Sequence, residues 1–133
     1  MSKPTLDHIG IAVRSLDRSA IYAALGLSVD HVERVESQGV KTAFISVGDA
    51  NLELLEPLRP DSPVGRFIEK RGEGIHHICF RVTNLESHLA DLQRKGFRWV
   101  NEAPVPGAHG FRVAFLHPEA GNGVLIELSE KVE

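Results

Sequence analysis

The sequence predicts an α+β fold in which two tandem β-α-β-β-β units form one curved mixed sheet around a cleft. Three observations predict it. The stretch Asp7-His8-Ile9-Gly10-Ile11-Ala12-Val13, followed by Leu16, returns as His76-His77-Ile78-Cys79-Phe80-Arg81-Val82, followed by Leu85. Later in each copy, Ala43-Phe44-Ile45 and Asn51-Leu52-Glu53-Leu54-Leu55-Glu56 reappear as Ala114-Phe115-Leu116 and Val124-Leu125-Ile126-Glu127-Leu128-Ser129. Each copy also carries a histidine in an equivalent place on its first strand, His8 and His77, and a glutamate on its last, Glu53 and Glu127. The repeats run over about 5–58 and 74–129, joined by a short helical linker within a single domain of 133 residues. Units of that size are marginal alone, so the two are expected to share a core.

Taken in order, residues 5–13 are a short Ile- and Val-rich run and read as a strand. A helix over about 16–25 follows, with Ser15 as N-cap, an apolar stripe of Leu16, Ala20, Ile21, Ala24 and Leu25, and Gly26 as its stop. Val29 to Val35, Val40 to Val47 and Leu52 to Leu55 read as strands, with Gly39 and Gly48-Asp49 turning between them. Ser62-Pro63 opens the linker helix, because proline is tolerated at the first helical position. The second copy starts with a strand over 75–82. Asn84 caps a helix carrying Leu85, Leu89 and Leu92, closed by Gly96. Phe97 to Val100, Phe111 to Leu116 and Gly123 to Leu128 are the remaining expected strands.

Composition sets outer limits. An apolar fraction of 42% and a charged fraction of 25% are ordinary for a soluble globular protein. The net charge of −3 comes without a basic block, which argues against nucleic acid as a partner. No apolar run is long enough to cross a bilayer, and Met1-Ser2-Lys3-Pro4 leads into a strand without a signal-peptide core. The single cysteine, Cys79, forbids an intramolecular disulfide and fits a cytoplasmic location; in its apolar strand it reads as a small core residue.

Parity on the strands singles out four side chains. His8 shares a face with Gly10 and Ala12, and His77 with Cys79 and Arg81. Ile9, Ile11 and Val13, like Ile78, Phe80 and Val82, point the other way, toward the helices. That puts the histidines on the face opposite the core. Glu53 and Glu127 each interrupt an apolar run, so each faces solvent or a cleft with compensating charge. Any one of the four, alone, is more often a satisfied core or surface residue. Four in equivalent places point instead to a divalent-metal site. Two imidazoles and two carboxylates suit Mn²⁺, Co²⁺, Fe²⁺ or Zn²⁺ better than Ca²⁺ or Mg²⁺. His76 points away from His77 and reads as structural. His31, His88, His109 and His117 have no counterpart in the repeat and read as surface or loop residues.

The repeat with this ligand set resembles the vicinal oxygen chelate (glyoxalase-like) superfamily. Within it, Asp7 to Val13, Glu36-Ser37-Gln38-Gly39-Val40-Lys41, Glu53-Leu54-Leu55-Glu56-Pro57-Leu58, Gly72-Glu73-Gly74-Ile75-His76-His77, Phe115-Leu116-His117-Pro118 and Gly121 to Leu128 resemble the methylmalonyl-CoA epimerases. The likeness covers roughly residues 5–129. It implies an isomerase that interconverts (2R)- and (2S)-methylmalonyl-CoA by α-proton abstraction through a metal-stabilised enolate. The alternative is a glyoxalase-type isomerase or another metal-dependent enzyme of the superfamily. The resemblance makes His8, Glu53, His77 and Glu127 the ligands of one divalent ion, with Co²⁺ first and Mn²⁺ or Zn²⁺ next. It implies propionate metabolism as the setting and a homodimer as the assembly. Epimerisation needs proton transfer on both sides of the α-carbon. Glu127 is the expected group on one side; Thr42 stands where some members of the family have a glutamate, which leaves the second group open among a water, Gln38 and Lys41. Coenzyme A phosphates call for cations, and Lys41, Lys70, Arg71 and Arg112, with Gln38 and Arg66 nearby, are the substrate-binding candidates. The turn from Pro104 to Gly110 is a reasonable cleft-edge loop.

Overall fold

Strand periodicity and turn chemistry are realised twice in the computed structural model, which describes residues 2–100 and 103–132. The chain divides into two compact units, His8–His76 and Met1–Asp7 with His77–Glu133. In the first unit, β1 (Thr5–Ala12) runs parallel to β4 (Ala50–Pro57). Antiparallel pairing adds β3 (Val40–Val47) and then β2 (Val29–Val35), giving the order β2-β3-β4-β1. The turn before β3 needs glycine: Gly39 has φ 64°, and a Cβ there would lie 2.8 Å from the Ser62 Cβ.

One side of this sheet packs as expected. Val13, Ala43, Ile45 and Leu54 are buried together, with Ile11, Leu16, Tyr22 and Leu27 against them. The expected helix over 16–25 is broken in two. A 3-10 turn at Leu16–Arg18 is followed by a short α1 (Ala20–Ala24), with Ser19 between them at φ −103°, ψ 41°. Leu16, Tyr22 and Leu27 make the contacts, and that spacing does not fit one helical stripe. Ile21 and Leu25, assigned to the stripe from sequence, are 60% and 68% exposed.

The opposite side also carries core, which corrects the expectation from parity. Ala12, Val40 and Leu55 are buried against Val64 and Ile68 of α2 (Pro63–Arg71). Helix α2 starts where Ser62 and Pro63 predict. The Ser62 hydroxyl accepts from the Gly65 N–H at 3.2 Å and donates to the Arg59 carbonyl at 2.7 Å. The face bearing His8 is therefore closed by α2 at one end.

The second unit repeats the topology. Strand β5 (Gly74–Arg81) runs parallel to β8 (Leu125–Lys131), and β7 (Phe111–Phe115) pairs antiparallel with β8. Helix α3 (Leu85–Arg94) is capped by Asn84, whose side chain accepts from the Ser87 N–H at 3.2 Å. Val82, Leu85, Ala114 and Leu128 form its core, with Phe80, Leu89, Leu92 and Trp99 around them. Phe97 to Val100 is not a strand. Only Trp99 makes a bridge, to Leu116, while Phe97 and Val100 are 41% and 55% exposed. The edge position goes instead to β6 (Val105–Pro106), paired with Val113 and Arg112; a proline is tolerated at an edge. Strand β8 begins later than expected because Pro118–Gly121 forms a 3-10 turn and Gly123 has φ 88°.

Candidate functional site

Each unit builds one imidazole–carboxylate pair from residues in equivalent register, fully buried in the second unit and with a part-exposed carboxylate in the first. In the first, Glu53 on β4 lies opposite Gly10 on one side and Phe44 on the other. Gly10 has no side chain, so the carboxylate can lean toward His8 two residues earlier on β1. His8 Nδ1 and Glu53 Oε2 are 3.1 Å apart, and His8 is 7% exposed. In the second, Glu127 lies opposite Cys79 and Phe115. Cys79 thus stands where Gly10 stands, and His77, two residues before it, brings Nε2 to 3.4 Å from Glu127 Oε1. His77 and Glu127 are 8% and 7% exposed. The sequence repeat is a repeat of side-chain placement.

Burying carboxylates among leucines is costly unless a cation or donor compensates. An imidazole does so here, and a metal would do so more fully. Two ligand atoms bound to one ion at about 2.1 Å lie roughly 3.0–3.4 Å apart. The separations of both pairs fall in that range, and nitrogen with carboxylate oxygen is a donor set for a transition ion. The residues present fit a divalent metal.

The other candidates scatter. Lys41 shares its face of β3 with Ala43 and Ile45, away from Glu53. It lines a cavity of about 530 Å³ between the α1 segment and the sheet, together with Tyr22, Leu27, Val32 and Leu54. Gln38 is exposed just before the Gly39 turn. Lys70 and Arg71 are exposed in the last turn of α2, where cations suit the helix C-terminus. The Arg71 guanidinium lies 5.7 Å from the Phe67 ring centre, and His76 meets that ring edge-on at 5.0 Å. Burial pushes the His76 imidazole below its ordinary pKa, in keeping with a structural role. Arg112 lies on the face of β7 opposite Phe115. Its Nη2 is 2.7 Å from Glu86 on α3 and 2.6 Å from Glu130 on β8. These contacts hold the guanidinium well above the usual arginine range and the Glu86 carboxyl below its own. Arg112 straps α3 to the sheet.

Cys79 is fully buried, with Sγ 3.3 Å from the Ser129 hydroxyl, as a small core residue should be. His117 accepts from the Glu119 N–H at 3.4 Å at the start of a 3-10 turn. His31 stacks on Phe44 with ring centres 4.4 Å apart. Sequence reasoning passed over Glu33. It pairs with Thr42 across β2 and β3, on the face of Glu53, and its Oε2 is buried. Parity within β2 groups Glu33 with His31, but only the pairing register says which face that is.

A family model described as the glyoxalase/bleomycin resistance protein/dioxygenase superfamily matches residues 7–115. An uncharacterized protein of Bacillus subtilis is 46% identical over 127 residues, spanning 94% of this chain and 91% of that protein. Human mitochondrial methylmalonyl-CoA epimerase is 39% identical over 128 residues, spanning 94% of this chain and 73% of the human one. Among solved structures, a variant of the Streptomyces coelicolor methylmalonyl-CoA epimerase in complex with 2-nitronate-propionyl-CoA superposes with a TM-score of 0.90 at 41% identity. It covers 99% of this chain and 100% of that one.

Proposed function

The chain belongs to the glyoxalase/bleomycin resistance protein/dioxygenase superfamily and, within it, to the methylmalonyl-CoA epimerases, and on that premise we propose that it interconverts (2R)- and (2S)-methylmalonyl-CoA with one divalent metal ion. It is an isomerase. The observation that carries the metal reading is the repeated imidazole–carboxylate pair, present in equivalent register in both units. His8, Glu53, His77 and Glu127 would hold the ion. When bound, a divalent ion supplies a Lewis acid for carbonyl and carboxylate oxygens, of the kind the substrate offers.

The remaining roles fall to the chain's own side chains. Glu127 takes or returns the α-proton through a carboxylate oxygen, and its 7% exposure keeps bulk water from competing for that proton. His77, 3.4 Å away, holds the Glu127 carboxylate in place. Of the six side chains read as candidates, Gln38, Arg66, Lys70 and Arg71 are the exposed ones, and we assign the coenzyme A phosphates to the three cations among them. Lys41 and Arg112 point to the other faces of their sheets, and Arg112 is already held by two carboxylates. A cytoplasmic homodimer completes the reading. Among the described residues, no helix is long and apolar enough to cross a membrane.

The test is α-proton exchange. Metal-loaded protein is incubated in D₂O with a single epimer of methylmalonyl-CoA and followed by NMR, beside a metal-stripped sample. Metal-dependent conversion to the epimer mixture with deuterium uptake is the expected result. Bound metal with no exchange above background would overturn the reaction and favour a glyoxalase-type substrate.

A further inference from the structure

We infer that the cavity between the α1 segment and the sheet of the first unit is a binding site for a small carboxylate with an aliphatic tail, held by the Lys41 ammonium. The site is independent of the reaction proposed above. Lys41, Ala43 and Ile45 line it from β3, and they point away from the face on which Phe44 lies across from Glu53.

The internal repeat supplies a control. In the second unit the layer between helix and sheet is filled. Helix α3 runs for ten residues, Leu85 is fully buried, and Leu89, Leu92 and Trp99 pack around the same core. In the first unit the helix is broken at Ser19, α1 has only five residues, and none of them is buried. A cavity of about 530 Å³ is left in the corresponding layer, with Tyr22 and Leu27 on one side and Ala43, Ile45 and Leu54 on the other. Protein interiors are close-packed, and a space of this size matches a small-molecule pocket.

The lining selects the ligand. Val29, Val32, Leu27, Ile45 and Leu54 favour a hydrocarbon body. Lys41 closes one end and is half-buried, and among the described residues its ammonium makes no hydrogen bond or ion pair. A cation drawn part-way out of water beside aliphatic walls lacks compensation, and a carboxylate supplies it through charge-assisted hydrogen bonds. The neighbouring charges do not. Glu56, in register with Lys41 on β4, spends Oε1 on the Leu16 N–H at 2.9 Å. Asp17 is exposed, so water and salt screen it. Arg34, across from Lys41 on β2, is held by Glu36. A second negative charge on the ligand would have to lie against the aliphatic walls without a partner, which excludes dicarboxylates and phosphates. From Lys41 to Ile45 the strand rises about 14 Å, a run suited to a straight chain of about eight carbons.

Full-length protein loaded with Zn²⁺ is titrated separately with octanoate, octan-1-ol and octylamine and followed by ¹H–¹⁵N NMR, with light scattering on the same samples. Octanoate should bind with a Kd in the millimolar range or tighter and shift the amides of Tyr22, Leu27, Ala43 and Ile45. Octan-1-ol and octylamine, which share the tail but not the charge, should bind at least about tenfold more weakly. Lys41→Met keeps the stem and removes the ammonium, and it should weaken octanoate by about that factor while leaving octan-1-ol binding as it was. Val32→Trp, at the half-exposed edge of the cavity, should weaken octanoate and octan-1-ol together. Equal binding of octanoate and octan-1-ol by wild type would overturn the assignment. So would octanoate shifts confined to the amides around His8 and Glu53, or no shifts from any of the three probes. If Lys41→Met does not fold, Lys41→Gln carries the same comparison. Absence of octanoate binding in a dimer that Val32→Trp dissociates would show that a second copy covers the cavity, and the inference would fall.

Discussion

Replacing Glu127 by glutamine separates its roles, because the amide keeps the shape and discards the charge. The side chain is 7% exposed and 3.4 Å from His77, so the variant loses one long charge-assisted contact in a dry setting. Such a bond contributes about 1.5–3 kcal/mol. The lower cost of burying an amide offsets part of that, and the net loss of stability should be about 1 kcal/mol, a Tm shift of roughly 2–6 °C. The chemistry should suffer more. Loss of a general base costs about 10²–10⁴ in rate, or roughly 3–5.5 kcal/mol in barrier, before any loss of metal. NMR exchange in D₂O, thermal melts and metal analysis on one preparation give the three numbers together. A Glu127→Gln protein with full metal content and turnover within threefold of wild type would refute the assignment of this site.

Further outcomes follow from other contacts. Cys79→Ser should keep activity, since the thiol only packs and meets Ser129; a large loss of turnover in a folded variant would mean the residue had been misread. Arg112→Met should lower the melting temperature by freeing α3 from β8 while leaving KM unaltered, and a raised KM would return Arg112 to the substrate. Ser62→Ala should destabilise by about 1 kcal/mol through loss of the α2 cap, measured by urea unfolding. His76 is held neutral by burial, so the unfolded chain binds its proton first as pH falls. Stability should therefore be full well above pH ~6.5 and decline as pH drops toward the folded-state value. His76→Phe should flatten that part of the profile.

Strand and helix boundaries were legible where local chemistry is decisive. Ser62-Pro63 and Asn84 cap the helices they announce, and the first three strands after the α1 segment lie where alternation puts them. The imidazole–carboxylate pairs were legible because an internal repeat samples the same constraint twice. What escaped depends on tertiary partners. The break at Ser19 follows from which apolar side chains reach the sheet. The run from Phe97 to Val100 has strand-like residues but only Trp99 finds a bridging partner. That the His8 face is also core follows from α2 folding over Ala12 and Leu55, two flat positions that no periodicity marks.

The allocation of the first few residues bears on how this chain can be cut. Residues up to Asp7 cluster with the second unit although β1 continues into the first. Arg81 grips the Asp7 carboxylate with two hydrogen bonds of 3.0 and 2.6 Å, and Ser2 meets Thr83 at 2.7 Å. A split at Gly72–Gly74 would therefore leave the C-terminal fragment without its own first segment. Deleting the N-terminal seven residues would injure the half of the protein farthest from them in sequence.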